Sequence, residues 1–459
     1  MRLLALAAAV TAAASLPHAP LGIGVPLVAL LVAATVATAA PRSLDALLFG
    51  ALALGLSLMP ALLDAGWIAA IDLVGACVLA ALAVGGPRLW ALAAPARALD
   101  ALPELVPSTP AGSVAALRGF GLGVVLVLPF GGLFWSADAA FAELAGGVPT
   151  PSLGTLLGRL AVFALVLAGA LGLALAARRT FADPRLPAVP TLDRAEWAIP
   201  LVLLDVLFLA FVLVQVTVLF GGHDHVLETS GLTYAEYARE GFWQLIAAAV
   251  LTLVVVGAAT RMAATTPASA RLLRFLLGAL CLLTLVVVAS ALHRLQLYED
   301  AFGLTRTRLA AETFAWGLGV LFLVVLAAGV VRAVRRELAR IVVAGAALGL
   351  LAFSVSNPDG RIAERNVERW RHTDNLDVAY VQGLSADAVP ALAELPEPLR
   401  SRVLAPHAVR LARDEPLTSA NYSRHRARAV VEEMRDASPR PRGASARARG
   451  PSRARSARG

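Results

Sequence analysis

The chain contains no lysine: all 40 of its basic residues are arginine. An arginine-preferring, GC-rich genome accounts for such a bias, but the chemical exclusion holds whatever its cause. A Walker-type loop needs a lysine on the phosphates, a pyridoxal-phosphate enzyme needs one for its Schiff base, and a protein kinase needs its strand lysine. None of these can be built. Cysteine is limited to Cys77 and Cys281, both inside apolar runs, where a thiol behaves as a small hydrophobe. Neither a disulfide framework nor a thiolate metal site is supported. Charged residues make up only 16% of the chain, too few for an ordinary soluble domain. Also missing are H-E-x-x-H, G-x-S-x-G, a glycine-rich phosphate loop after a strand, and the alternating strand pattern of an outer-membrane barrel.

What the chain has instead is apolar length. Of its 459 residues 58% are hydrophobic, and the mean hydropathy is +0.73. The apolar runs are about 17 to 25 residues long, enough at 1.5 Å per residue for a helix to cross a hydrocarbon core of about 30 Å. The expected fold is all-α, a polytopic membrane helix bundle with a small helical C-terminal segment and a disordered basic tail. About eleven spans are expected. The first two lie in Leu3 to Ala14, which fits a signal peptide nearly as well, and Leu21 to Ala40. Then come Leu44 to Met59, Ala65 to Val84, Val114 to Phe134, Leu153 to Ala177, Trp197 to Phe220, Phe242 to Thr260, Leu272 to Ala291, Phe314 to Val331 and Ile341 to Ser356.

Orientation follows from arginine counts in alternate short loops, because basic loops resist translocation. One set, from Arg42 through Arg88 to Arg118, Arg178 to Arg194, Arg261 to Arg274 and Arg332 to Arg340, holds fifteen arginines; the other holds Arg239, Arg294, Arg306 and Arg308. The first set belongs in the cytoplasm. In a cell membrane this puts the N-terminus inside and everything after Ser356 outside. Trp67, Trp135 and Trp243 then fall near the outer boundary and Trp197 near the inner one, as interfacial belts require.

Three regions follow: a bundle over residues 1–356, a polar helical segment over 357–437, and an arginine-rich tail over 438–459. In the second, Ile362, Val367 and Trp370 recur at near-helical spacing behind the opening Asn-Pro-Asp. This amphipathic helix has two possible seats, the membrane surface or the neighbouring loops. Further on, Ser385 with Asp387 is expected to cap a helix over SADAVPALAEL that Pro390 bends or ends. The tail has no acids and no aromatics, so nucleic acid is not an expected partner.

Polar and ionisable residues fall into two sets. Asp72, Arg159, Asp205 and Gln215 lie within apolar runs, where polar groups either line a pathway or hydrogen-bond between helices. The larger set falls on the expected outer side. There Leu292 to Leu309, LHRLQLYEDAFGLTRTRL, reads as a helical hairpin broken at Gly303 and restarted by Thr305 or Thr307, its second arm running about 50 Å to Leu338. Tyr298, Glu299, Asp300, Arg306 and Arg308 on this hairpin are candidate ligand-binding residues. With them go Tyr234 and Tyr237 of the preceding loop and Asn357, Asp359 and Asn366 of the amphipathic helix. Arg306 and Arg308 can grip a phosphate or carboxylate. His223, Asp224, His225 and Glu228 have ligand chemistry for a divalent metal, but the spacing is not diagnostic, and no metal or cofactor is expected. Gly345 and Gly349 form a GxxxG in the last span.

Five blocks in order carry a family resemblance: Gln215 with Phe220-Gly221-Gly222, TYAEYAREGFWQL, LYEDAFGLTRTRL, NPDGRIAERN and LDVAYVQGLSADAVPAL. Over roughly Trp197 to Leu395 the chain resembles the bacterial multi-pass membrane proteins of domain-of-unknown-function family 4173, with its relative 4153; the N-terminal spans match weakly. The resemblance implies no activity, substrate or catalytic residue. It leaves His223, Asp224 and His225 outside the pattern, and it implies hydrogen bonding at Asp205, where relatives more often have asparagine.

The leading expectation is a non-enzymatic sensor, scaffold or accessory subunit. Its partners would be the lipid bilayer and an envelope component or another membrane protein. The alternatives are a transporter with a pathway lined by Asp205 and Gln215, and an outer-leaflet enzyme using Glu299, Asp300 and Asp359 as acid or base on a lipid-linked substrate.

Overall fold

In a computed structural model the described residues are 1–17, 19–39, 43–93, 96, 151–178, 190–220, 234–263 and 266–437. They form helices, with one isolated bridge, Leu192 to Ala263, as the sole β-type pairing among them. Among the described residues ten helices belong to the bundle: α1 (Arg2–Ser15), α2 (Gly24–Ala37), α3 (Leu44–Leu62), α4 (Gly66–Gly85), α5 (Pro151–Ala176), α6 (Arg194–Phe220), α7 (Tyr234–Met262), α8 (Pro267–Phe302), α9 (Arg306–Val330) and α10 (Leu338–Val355). The eight from α3 to α10 are long and apolar enough to cross a membrane. The first two are apolar but, at 14 residues, only about 21 Å long. The expected span at Val114 to Phe134 lies outside the described residues.

Seven of the long helices separate into two packed groups, while α5 packs on α1, α2 and α4. One core joins α6, α7, α8 and α9 around Leu280, Ala291, Ala315 and Phe322; the other joins α3, α4 and α10 around Phe49, Leu56 and Leu79. Away from these cores the helices are apolar outward. Leu203 and Leu207 on α6 are 65% and 62% exposed, a pattern that suits a lipid-facing surface. Trp243 is exposed in keeping with a belt, whereas Trp197 is buried in the α6–α8 core, because it sits on the inward face of α6.

Two helix boundaries depart from expectation. The second hairpin arm ends at Val330, about 38 Å long instead of about 50 Å. Arg335, on the one-turn connector Arg332–Arg336, turns its guanidinium back onto the carbonyls of Ala328 (3.0 Å) and Gly329 (3.2 Å). A basic residue thus satisfies the orphan carbonyls of the α9 end. The helix expected over SADAVPALAEL shrinks to a 3₁₀ turn, Ala386–Ala388, and one α turn, Val389–Leu392.

The chain after α10 forms a helical cap of α11 (Pro358–Thr373), α12 (Leu399–Leu411) and α13 (Tyr422–Ala437) with short turns between them. Its core buries Ile362, Val367, Val381, Leu392 and Leu395 together with Leu304 and Leu309 of the bundle. The amphipathic helix is therefore seated on the α8–α9 hairpin. Full burial of each such side chain contributes about 1.5–3 kcal/mol.

Alternate loops meet at two opposite ends. At the capped end the α1–α2, α3–α4 and α8–α9 connections touch the cap. At the other end Arg340 pairs with Asp45 at 2.5 Å and Leu192 N–H bonds the carbonyl of Met262 at 2.8 Å.

Candidate recognition site

Gly303 ends α8 at φ +79, its N–H on the carbonyl of Glu299 at 2.7 Å. Thr305 then caps α9 by accepting from Arg308 N–H at 3.4 Å. Only glycine adopts that dihedral without strain, and a Cβ there would also collide with Oδ1 of Asn366. Asn366 holds the turn from the cap side, donating to the carbonyl of Leu304 at 2.8 Å. Asn357 opens α11 in the left-handed region at φ 54, its side chain accepting from Gly360 N–H. Asparagine tolerates that conformation better than most residues.

These two caps bring Arg306 and Asp359 together. Nε and Nη2 of Arg306 reach Oδ1 and Oδ2 of Asp359 at 2.9 and 2.5 Å, a bidentate pair in which the carboxylate is fully buried. The indole N–H of Trp67 donates to Oδ1 at 3.0 Å and the Ser385 N–H to Oδ2 at 2.9 Å. Burial alone raises the Asp359 carboxyl; the bond and charge of Arg306, the Ser385 N–H and the Trp67 indole outweigh it and hold the group below the usual carboxylate range. Arg306 N–H in turn donates to the Tyr380 hydroxyl at 2.7 Å. One buried carboxylate thus ties together α4, the α8–α9 turn and two parts of the cap.

A second knot lies beside it. Asp64, in the α3–α4 turn, accepts from Ala386 N–H at 3.1 Å and pairs with Arg424 of α13 at 2.5 Å, while its own N–H donates to Asp387 at 2.9 Å. Burial pushes the Asp387 carboxyl up. Arg424 also pairs with Glu415 at 3.1 Å and donates to the carbonyl of Leu21 at 2.9 Å. The α1–α2 turn approaches so closely here that a Cβ on Gly22 would overlap the Ser419 backbone.

The remaining candidates are distributed as follows. Arg308 bonds the Gly303 carbonyl and stacks 4.1 Å above the Tyr298 ring, a cation–π contact. Glu299 and Asp300 border an open cavity of about 490 Å³ between α8, α9 and α11, whose walls carry Arg361 and Arg365 as well as Glu312 and Glu364. Asp72, fully buried, accepts from Ser354 at 2.8 Å, and Gln215 accepts from Ser290 at 3.1 Å; both are hydrogen bonds between helices. Asp205 lies part-buried in α6, and neither carboxylate oxygen has a partner among the described residues. Arg159 is exposed near the start of α5. The side chains of Tyr234 and Tyr237, and residues His223 and His225, lie outside the described residues. Among the described residues no group of acids, histidines and cysteines is placed to hold a metal ion.

Sequence reasoning passes over Trp67, Asp64, Tyr380, Ser385 and Arg424 as site residues. Tyr380 and Ser385 fall in the last family block, and the one signal for Asp64 is its place in a short loop on the same side as the cap.

Within the cap, His407 is 1% exposed. Arg410 donates to its Nδ1 at 2.9 Å, which leaves Nε2–H to donate to the carbonyl of Val381 at 3.3 Å. Burial first, and then the Arg410 charge, lower its pKa to about 4. The neutral ring's contribution is complete above the unfolded value near 6.5 and is lost as pH falls from there toward about 4, amounting to about 3 kcal/mol in all, of which roughly 2 kcal/mol is gone by pH 5. Thermal unfolding of the intact protein at pH 7 and pH 5 should show this loss, and His407→Gln should flatten it. An unchanged slope would reject the assignment.

Among the described residues, eight long apolar helices under a charged helical cap define a multi-pass membrane protein. The chain belongs to the family described as domain of unknown function (DUF4153), whose profile matches residues 3–395. The match takes in the N-terminal helices as well as the five blocks, and it falls on the family that the sequence resemblance placed second. No curated protein and no solved structure matches the chain.

Proposed function

We propose that this protein acts without catalysis, as a sensor, scaffold or accessory subunit of the cell membrane, and that its capped end faces outward and recognises an envelope component. The observation that carries the reading is the Asp359 carboxylate, which draws four donors from three chain segments and locks the cap to the bundle as one polar face. Arg306 and Asp359 satisfy each other in this arrangement, which suits a fixed platform better than an acid–base pair awaiting substrate. The arginine imbalance between alternate loops supports the outward orientation.

A photo-crosslinking residue placed at Glu368, on the capped end, should trap a specific adduct in whole cells, whereas one at Arg336, on the other end, should not. Equal adducts from both positions, or none from either, would reject recognition at this face. A C-terminal reporter that reads cytoplasmic would reject the orientation.

A further inference from the structure

Neighbouring residues of the turn between α12 and α13 fasten the cap to two apolar hairpins of the bundle. The Ala420 carbonyl accepts from Ile23 N–H at 3.0 Å, and the Asn421 side-chain amide donates to the carbonyls of Pro60 and Leu63, both at 2.9 Å. Those two carbonyls stand at the end of α3, where the helix itself supplies no donor. The bonds fix the depth of the turn. α3 has 19 residues, about 28 Å of helix, and the hydrocarbon core is about 30 Å thick. It crosses only by using its whole length, so Leu62 and the charged Asp64 just after it mark the boundary at the capped end. Ala420 and Asn421 therefore lie at headgroup level.

The same level is reached along α2. Ile23, Leu27 and Leu30, spaced at i, i+4 and i+7, are all exposed and form one apolar stripe facing outward. Its top residue, Ile23, is the one bonded to Ala420. Where this stripe ends, two further apolar side chains stand free. Leu417, in the 3₁₀ turn Leu417–Ser419, is 88% exposed, and Tyr422, the first residue of α13, is 62% exposed. A lone exposed leucine is ordinary on a soluble surface. At headgroup level, however, a leucine beside a tyrosine supplies an alkyl group for the acyl chains and a ring with a hydroxyl for the interface. Among the described residues of the cap, Val409 on α12 is the one other large apolar side chain left exposed. The outer face of α11 carries Arg361, Glu364, Arg365 and Glu368 instead.

We propose that the α12–α13 turn is a membrane anchor, in which Leu417 and Tyr422 insert into the interfacial layer of the leaflet at the capped end. The cap is then held down on lipid as well as on the helices. The occupant of this surface is the bilayer itself, continuous with the lipid against the outward stripe of α2. The anchor goes beyond the recognition reading and does not depend on which side of the membrane the capped end faces.

The test places a benzophenone side chain, which inserts into C–H bonds and not into water, at position 417 of the full-length protein in vesicles of choline phospholipid. Adducts are read by mass spectrometry of the intact chain. The same label at Leu207, on the outward face of α6, is the lipid reference, and at Glu368, on the charged face of α11, the water reference. The label at 417 should give an adduct of one phospholipid mass in at least tenfold greater yield than the label at Glu368, approaching the yield at Leu207. A smaller ratio overturns the proposal. So does an adduct of twice the chain mass in place of the lipid adduct, which would make the turn an interface between two copies. Leu417 is so exposed that its replacement disturbs no core; should that variant still misfold, the label at Tyr422 decides by the same tenfold criterion.

Discussion

Arg306→Ala is expected to loosen the cap from the bundle by about 3–5 kcal/mol, the cost of stranding one partner of a buried ion pair. The reason is the asymmetry of the pair: the Asp359 side chain is 0% exposed and that of Arg306 is 36% exposed. Without the guanidinium the carboxylate keeps only two neutral donors, the Trp67 indole and the Ser385 N–H. Asp359→Ala strands a cation that can turn toward solvent, so its loss comes mainly from the two orphaned donors, at about 1–3 kcal/mol each. The double variant should cost at least about 1 kcal/mol less than the sum of the singles, since contacting residues couple on this scale. The readout is protease release of the cap, paired with thermal unfolding of the purified protein. Additive losses would show that the two side chains are not acting as a pair.

Arg424→Met should be nearly as costly and should act elsewhere. Arg424 is 6% exposed and is shared by Asp64, Glu415 and the Leu21 carbonyl. A methionine of similar length fills the space but leaves two carboxylates facing each other with one fewer cation, while Arg428 still reaches Glu415 at 2.9 Å. An expected loss of about 3 kcal/mol follows from breaking a buried pair by one partner. The distinguishing signature is local. Amide exchange should rise around Ile23, whose N–H bonds the Ala420 carbonyl at 3.0 Å, and stay unchanged at the α8–α9 turn. Adding Asp64→Asn should recover part of the loss. Uniform exchange increases across the cap would mean that Arg424 supports the cap fold itself rather than its attachment to α1–α2.

The two knots explain why the polar blocks lie where they do. The two arginines of the hairpin turn divide the work between them, Arg306 locking the cap and Arg308 closing the turn from above Tyr298.

Composition and run length were enough to establish a helical membrane bundle, because a helix must cover about 30 Å of hydrocarbon with apolar residues and satisfy its own backbone there. Local rules also fixed the break at Gly303 and the Asn-Pro-Asp opening of α11 and narrowed the α9 cap to Thr305 or Thr307, since each depends on residues within one turn. The seat of α11 was open in the sequence: Ile362 and Val367 required an apolar surface, and either lipid or the hairpin would serve. The partner of Arg306 was not legible either. Asp359 lies 53 positions away, the Trp67 donor lies 292 positions from Asp359, and Asp387 lies 323 from Asp64. Apolar burial repeats with the helix period and can be read along a chain, but a charge pair has no period. It depends on which loops the bundle carries to the same end, and that only the tertiary structure decided.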